Sequence, residues 1–74
     1  MISVKVCYQS SGKPADGVKV CIGFDGFFRG MSSDEITDRN GEAHFDNEPG
    51  QGKVYVRGHN VHSGHLSGRV VVYI

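Results

Sequence analysis

Ile2-Ser3-Val4-Lys5-Val6-Cys7-Tyr8 is followed, nine residues later, by Val18-Lys19-Val20-Cys21-Ile22-Gly23-Phe24, and in both segments every second side chain is apolar. A period of two places alternate side chains on opposite faces of an extended chain, so Ile2, Val4, Val6 and Tyr8 share one face of a strand. Val18, Val20, Ile22 and Phe24 share one face of a second strand by the same rule. The connection, Gln9-Ser10-Ser11-Gly12-Lys13-Pro14-Ala15-Asp16-Gly17, is turn chemistry throughout. Two half-buried strands joined by a loop begin an all-β domain.

Working outward, Phe24-Asp25-Gly26-Phe27 sets Asp-Gly between apolar residues, the signal of a type I′ hairpin, and predicts a third strand near 27–30. Met31-Ser32-Ser33-Asp34 is a polar break, Glu35-Ile36-Thr37 a brief strand, and Asn40-Gly41 a further reversal. Glu42-Ala43-His44-Phe45-Asp46 alternates, with Ala43 and Phe45 inward and His44 outward, until Pro49, Gly50 and Gly52 end it. Lys53 to Arg57 forms another strand, with Val54 and Val56 on one face. In the polar stretch Gly58 to Gly68, Ser63-Gly64 is positioned to close a small hairpin. The final run, Arg69-Val70-Val71-Val72-Tyr73-Ile74, is apolar on both faces, which suits a strand covered on two sides or one that meets another subunit. No 3.6-residue period occurs. The expected fold is a small antiparallel, Greek-key-like β-sandwich of about seven strands, with residues 1–74 as one domain.

Composition narrows the chemistry. Seventy-four residues cannot supply two independent cores, and a core this small leaves modest stability. Eight basic residues balance eight acidic ones, and there is no Trp, so neither a field for polyanions nor a base-stacking groove is expected, and nucleic acid is excluded as a partner. Eleven glycines without a repeat imply many tight turns. No apolar stretch reaches the roughly 18 residues that span a bilayer, and Met1-Ile2-Ser3-Val4-Lys5-Val6 lacks the core of a signal peptide. A cytoplasmic location is expected, with a trimmed domain of a secreted or surface protein as the alternative.

The alternation puts Cys7 beside Lys5 and Gln9 and puts Cys21 beside Lys19, so both thiols are expected to face outward. On different sheets they could not approach to the roughly 4.4–6.8 Å Cα separation of a disulfide, and free thiols are expected.

Gly12-Lys13-Pro14-Ala15-Asp16-Gly17-Val18-Lys19-Val20, Thr37-Asp38-Arg39-Asn40-Gly41-Glu42-Ala43-His44-Phe45 and Lys53-Val54-Tyr55-Val56-Arg57 together resemble the prealbumin-like sandwiches. These include the regulatory-like domain that follows carboxypeptidases and the Cna-B-type repeats of surface proteins. The resemblance covers about residues 2–57 and the last strand. It implies an isopeptide bond only where a last-strand Asn or Asp accepts a lysine such as Lys5, and residues 69–74 contain neither. The similar transthyretin-like hydrolases end in Tyr-Arg-Gly-Ser, where this chain has Val72-Tyr73-Ile74, and the first strand has no His. What the resemblance leaves is a binding, spacer or interaction module.

Three imidazoles, His59, His62 and His65, could supply ligands to Zn, Ni or Cu. A reversal at Ser63-Gly64 would make His62 and His65 cross-strand neighbours, although no Asp or Glu follows residue 48 to orient them. The plainer alternative is three solvated loop histidines. Asp38-Arg39-Asn40-Gly41-Glu42 resembles the opening of a calcium loop, yet a plain Asn-Gly turn explains every residue of it. No catalytic set and no cofactor motif is recognised. Phe27 and Phe28 cannot both point inward, so one of them, with Tyr73, is a candidate anchor for a protein partner or a second copy. The leading expectation is a non-catalytic interaction module, self-associating or part of a larger assembly; the alternative is a small metal-binding protein using the three histidines.

Overall fold

The computed structural model of the chain describes residues 1–26 and 30–74. Eight strands occur among them: β1 (Ile2–Cys7), β2 (Lys19–Phe24), β3 (Gly30–Met31), β4 (Glu35–Ile36), β5 (Glu42–Phe45), β6 (Gly50–Val56), β7 (His59–Leu66) and β8 (Gly68–Tyr73). They form two sheets. One has the order β5-β1-β8, and the other runs β3-β2-β6-β7 with β4 also paired to β2. No helix occurs among the described residues, so none is long and apolar enough to cross a membrane.

The inner faces meet as the alternation requires. Ile2, Val4 and Val6 from β1, Val20 and Ile22 from β2, and Val54 from β6 have no exposed surface and belong to one core with Phe45, Val56, Leu66, Val70 and Val72. Burying such side chains fully stabilises the fold by about 1.5–3 kcal/mol apiece before chain entropy is subtracted. Tyr8 packs against the rim of that core.

Several expectations need correction. Pairing is not wholly antiparallel, because β8 lies parallel to β1 from Ile2↔Gly68 to Cys7↔Tyr73. The Asp25-Gly26 connection is longer than a two-residue hairpin, since Phe24 pairs with Gly30 and Gly23 with Met31. The proposed exposure of Phe27 and Phe28 falls outside the described residues. Cys7 is buried rather than outward-exposed, because the chain doubles back over the end of β1: Cys7 bridges Pro14, and the N–H of Tyr8 donates to the Lys13 carbonyl at 2.9 Å. Both cysteines are free, Cys7 in one sheet and Cys21 in the other.

The turn at residues 37–41 does more than reverse the chain. It carries the polypeptide from β4 in one sheet to β5 in the other. Thr37, only 3% exposed, donates its hydroxyl to the Ala15 carbonyl at 2.6 Å and accepts from the Val18 N–H at 2.9 Å. Its own backbone exchanges hydrogen bonds with Val18 and Gly17, Thr37 N–H to Val18 O at 2.9 Å and Gly17 N–H to Thr37 O at 3.0 Å. At the far end Gly41 has φ 75°, and a Cβ there would lie 2.5 Å from the Val6 carbonyl oxygen, so only glycine fits.

Replacing Thr37 with Val keeps the volume but leaves the Ala15 carbonyl and Val18 N–H without their partner. A loss of about 1–3 kcal/mol is expected in urea denaturation, the usual penalty for stranded buried polar groups. Thr37→Ser, which keeps the hydroxyl, should recover more than half of that loss.

Candidate functional site: the open strand edges

Among the described residues, no strand covers the outer edge of β7 or of β8. The two strands follow one another through Ser67, with Gly68 at φ 56°, so the corner between the sheets leaves two unpaired backbone edges on the same side of the molecule. Such edges offer N–H and C=O groups to a further strand.

On β8 the alternation separates two environments. Val70 and Val72 are buried, while Val71 and Tyr73 are 45% and 53% exposed on the outer face. The last strand is therefore covered on one side only. Tyr73 stands opposite Cys7 and Val71 opposite Lys5 in the parallel register. Arg69, on the same face, donates to Glu42 across β1 at 3.4 Å, an exposed pair that contributes little to stability.

The expected hairpin at Ser63-Gly64 is absent; the chain passes straight through those residues within β7. Reversal occurs instead at Arg57-Gly58, with φ of 52° and 83°, as a two-residue type I′ turn demands. Pairing of β6 with β7 then runs Val56↔His59, Tyr55↔Asn60, Val54↔His62, Lys53↔Ser63 and Gln51↔His65, with a bulge that leaves Val61 as an extra residue. Directly paired residues share a face. His59 and His62 consequently lie on the face of Val56 and Val54, and His65 lies on the opposite face beside Gln51. Among the described residues no three His, Cys, Asp or Glu side chains converge as a metal site would require.

Asp38 is engaged in its own turn: its Oδ1 accepts from the Asn40 N–H at 2.8 Å and the Glu42 N–H at 3.0 Å. The Glu42 N–H is the main cause that holds this carboxyl below its ordinary range; desolvation opposes it, and the Asn40 N–H and the nearby His44 add to the lowering. These bonds account for the whole Asp38–Glu42 motif as a turn. Cys21, half-buried on the outer face of β2, has its thiol pushed up by burial first and then by the charge and hydrogen bond of Asp34, with Lys19 opposing. Because the thiolate is the nucleophile, that shift makes Cys21 a poor one.

Family models, curated proteins and solved structures offer no match to this chain.

Sequence reasoning named Tyr73 as a candidate anchor, and the structure leaves that side chain exposed on the outer face of β8; the β7–β8 corner was not anticipated. The available signal was Arg57-Gly58, which resembles no favoured hairpin pair because arginine seldom accepts positive φ.

Two outcomes follow from these placements. In a zinc or nickel titration watched through the imidazole NMR signals, His65 should not move in step with His59 and His62; one shared isotherm for all three rings would overturn the strand assignment. For Asp38, the folded carboxyl titrates below the unfolded one. Its contribution is therefore complete above the unfolded value of about 3.9 and is lost as pH falls through the lower folded value. The stability advantage of the natural chain over Asp38→Asn, measured by urea midpoints, should thus be constant near neutrality and shrink below about pH 4.

Proposed function

We propose that the chain is a non-catalytic interaction module, a prealbumin-like Greek-key sandwich that associates with itself or within a larger assembly through its open β7–β8 side. One observation carries this reading: the last strand combines a free backbone edge with two large exposed side chains, Val71 and Tyr73. A tyrosine brings contact area at small entropic cost and keeps a polar tip for water, which is why it recurs at the centres of interfaces. The partner is then a protein that supplies a strand, most simply a second copy, and neither a cofactor nor nucleic acid enters the interaction. Strand addition also fits a small core, because an added strand buries more of each sheet than 74 residues can cover alone.

Sedimentation velocity over a range of concentrations tests it. The natural chain should show reversible association, and Val71→Lys combined with Tyr73→Glu should weaken it by at least tenfold. Folding stability should change by only about 0.5 kcal/mol, as for other exposed positions. A chain that stays monomeric throughout and captures no protein through this side would sink the proposal.

A further inference from the structure

The two sides of the molecule carry opposite charge. At one side β4 passes to β5 through the 37–41 turn, and β5 is the open edge of its sheet. Residues 34–48, which form that side, hold six carboxylates (Asp34, Glu35, Asp38, Glu42, Asp46 and Glu48) against Arg39 and His44. At the other side, residues 49–74 form β6, β7 and β8 and contain no carboxylate, while Lys53, Arg57, Arg69 and the three histidines lie there. Strand order fixes the separation, since β5 and β8 are the two ends of one sheet and β7 lies at the end of the other sheet away from β4. A formal charge of zero thus conceals a polarised molecule.

Charge along an edge strand usually protects it against joining another copy. That protection acts when like edges meet: β7 against β7, or β5 against β5, brings charges of one sign together. It fails when unlike edges meet. We propose that copies of this chain associate head to tail, the acidic β4–β5 side of one against the basic β7–β8 side of the next. The inference rests on the self-association proposed above and specifies its geometry. Such a contact is heterologous, so it leaves an open side at each end and builds rings or filaments rather than closed two-fold dimers. Ion pairs neutralise the sides only in part: Arg69 reaches across β1 to Glu42 at 3.4 Å, which leaves Lys53 and Arg57 on one side and the remaining carboxylates on the other. Lys19–Asp34 and His44–Asp38 are separated by 4.0 and 3.9 Å with about half of each side chain exposed, and among the described residues Glu35 and Asp46 lie outside every such pair.

Paired charge reversals test the geometry on the full chain. Asp34→Lys, Glu35→Lys and Asp46→Lys together take residues 34–48 from a net charge of −5 to +1 and make both sides basic, and Lys53→Glu with Arg57→Glu takes residues 49–74 from +3 to −1, histidines neutral, and makes both sides acidic. In sedimentation velocity at low salt the natural chain should form oligomers beyond the dimer that dissociate as salt is raised to about 0.5 M, where screening shortens to a few ångströms. Each reversed chain alone should be monomeric with unchanged thermal unfolding. An equal mixture of the two should recover association, because each then finds its complement. Association that persists in both reversed chains and depends only on Val71 and Tyr73 would overturn the head-to-tail arrangement while leaving the interaction module standing. A monomer under every condition would overturn the head-to-tail arrangement, and one that also captures no protein through the β7–β8 side would remove the interaction module as well.

Discussion

The Thr37 hydroxyl, sealed between the Ala15 carbonyl and the Val18 N–H, is the contact on which the two-sheet arrangement depends. It sits where the chain leaves one sheet for the other, and it also fixes the end of the loop that leads from β1 into β2. Four residues on, Gly41 passes close enough to β1 for its carbonyl to accept from the Val6 N–H at 2.7 Å. One five-residue turn therefore ties together β1, β2, β4 and β5. Buried polar atoms are tolerated only when paired, and no buried side-chain polar atom among the described residues lacks a partner. The junction thus meets its desolvation cost with short, directional bonds that specify one geometry.

Given that junction, the rest of the core follows from alternation, and this is the part of the fold that the sequence displays. A strand half in water and half in a core must alternate, so Ile2, Val4 and Val6, Val20, Ile22 and Phe24, Ala43 and Phe45, and Val54 and Val56 were all placed correctly. The same logic could not show that β8 runs parallel to β1. Parallel and antiparallel neighbours present the same alternating faces, and the choice is made by the route of the intervening chain. Cys7 differs for a related reason: the following loop folds back to bridge it at Pro14, and a loop folding back leaves no periodic trace.

Glycine was the other source of error. In β6, Gly52 reads as a terminator, yet it is a buried strand residue whose missing side chain admits the neighbouring backbone; a Cβ there would stand 2.6 Å from the Gly23 carbonyl oxygen. Gly23 in turn leaves room on the outer face for the side chains of Met31 and Tyr55, whose atoms would meet its Cβ at 3.0 and 3.1 Å. Both are strand glycines that permit close approach rather than turns. Gly64 misled in the same way, and the bulge at Val61 then shifted the phase of β7. Counting outward from Val54 without that extra residue assigns the wrong face to the histidines. The candidate site was accordingly less legible than the core, because edge strands are constrained by one neighbour instead of two.

That weaker constraint has a consequence for how the sheets hold together. The β5-β1-β8 sheet is assembled from the first strand, the last strand and one four-residue strand, so its closure waits on contacts between residues nearly seventy apart. Contacts at such separation require the chain entropy of the loop to be lost before they contribute. Both of its outer strands, β5 and β8, are open edges among the described residues. An additional strand from another molecule would therefore stabilise most where the fold is least self-sufficient, at an edge where only half of the backbone groups are paired and where Val71 and Tyr73 already stand in water. A three-stranded sheet with β1 at its centre has two margins, and among the described residues neither is covered by a further strand.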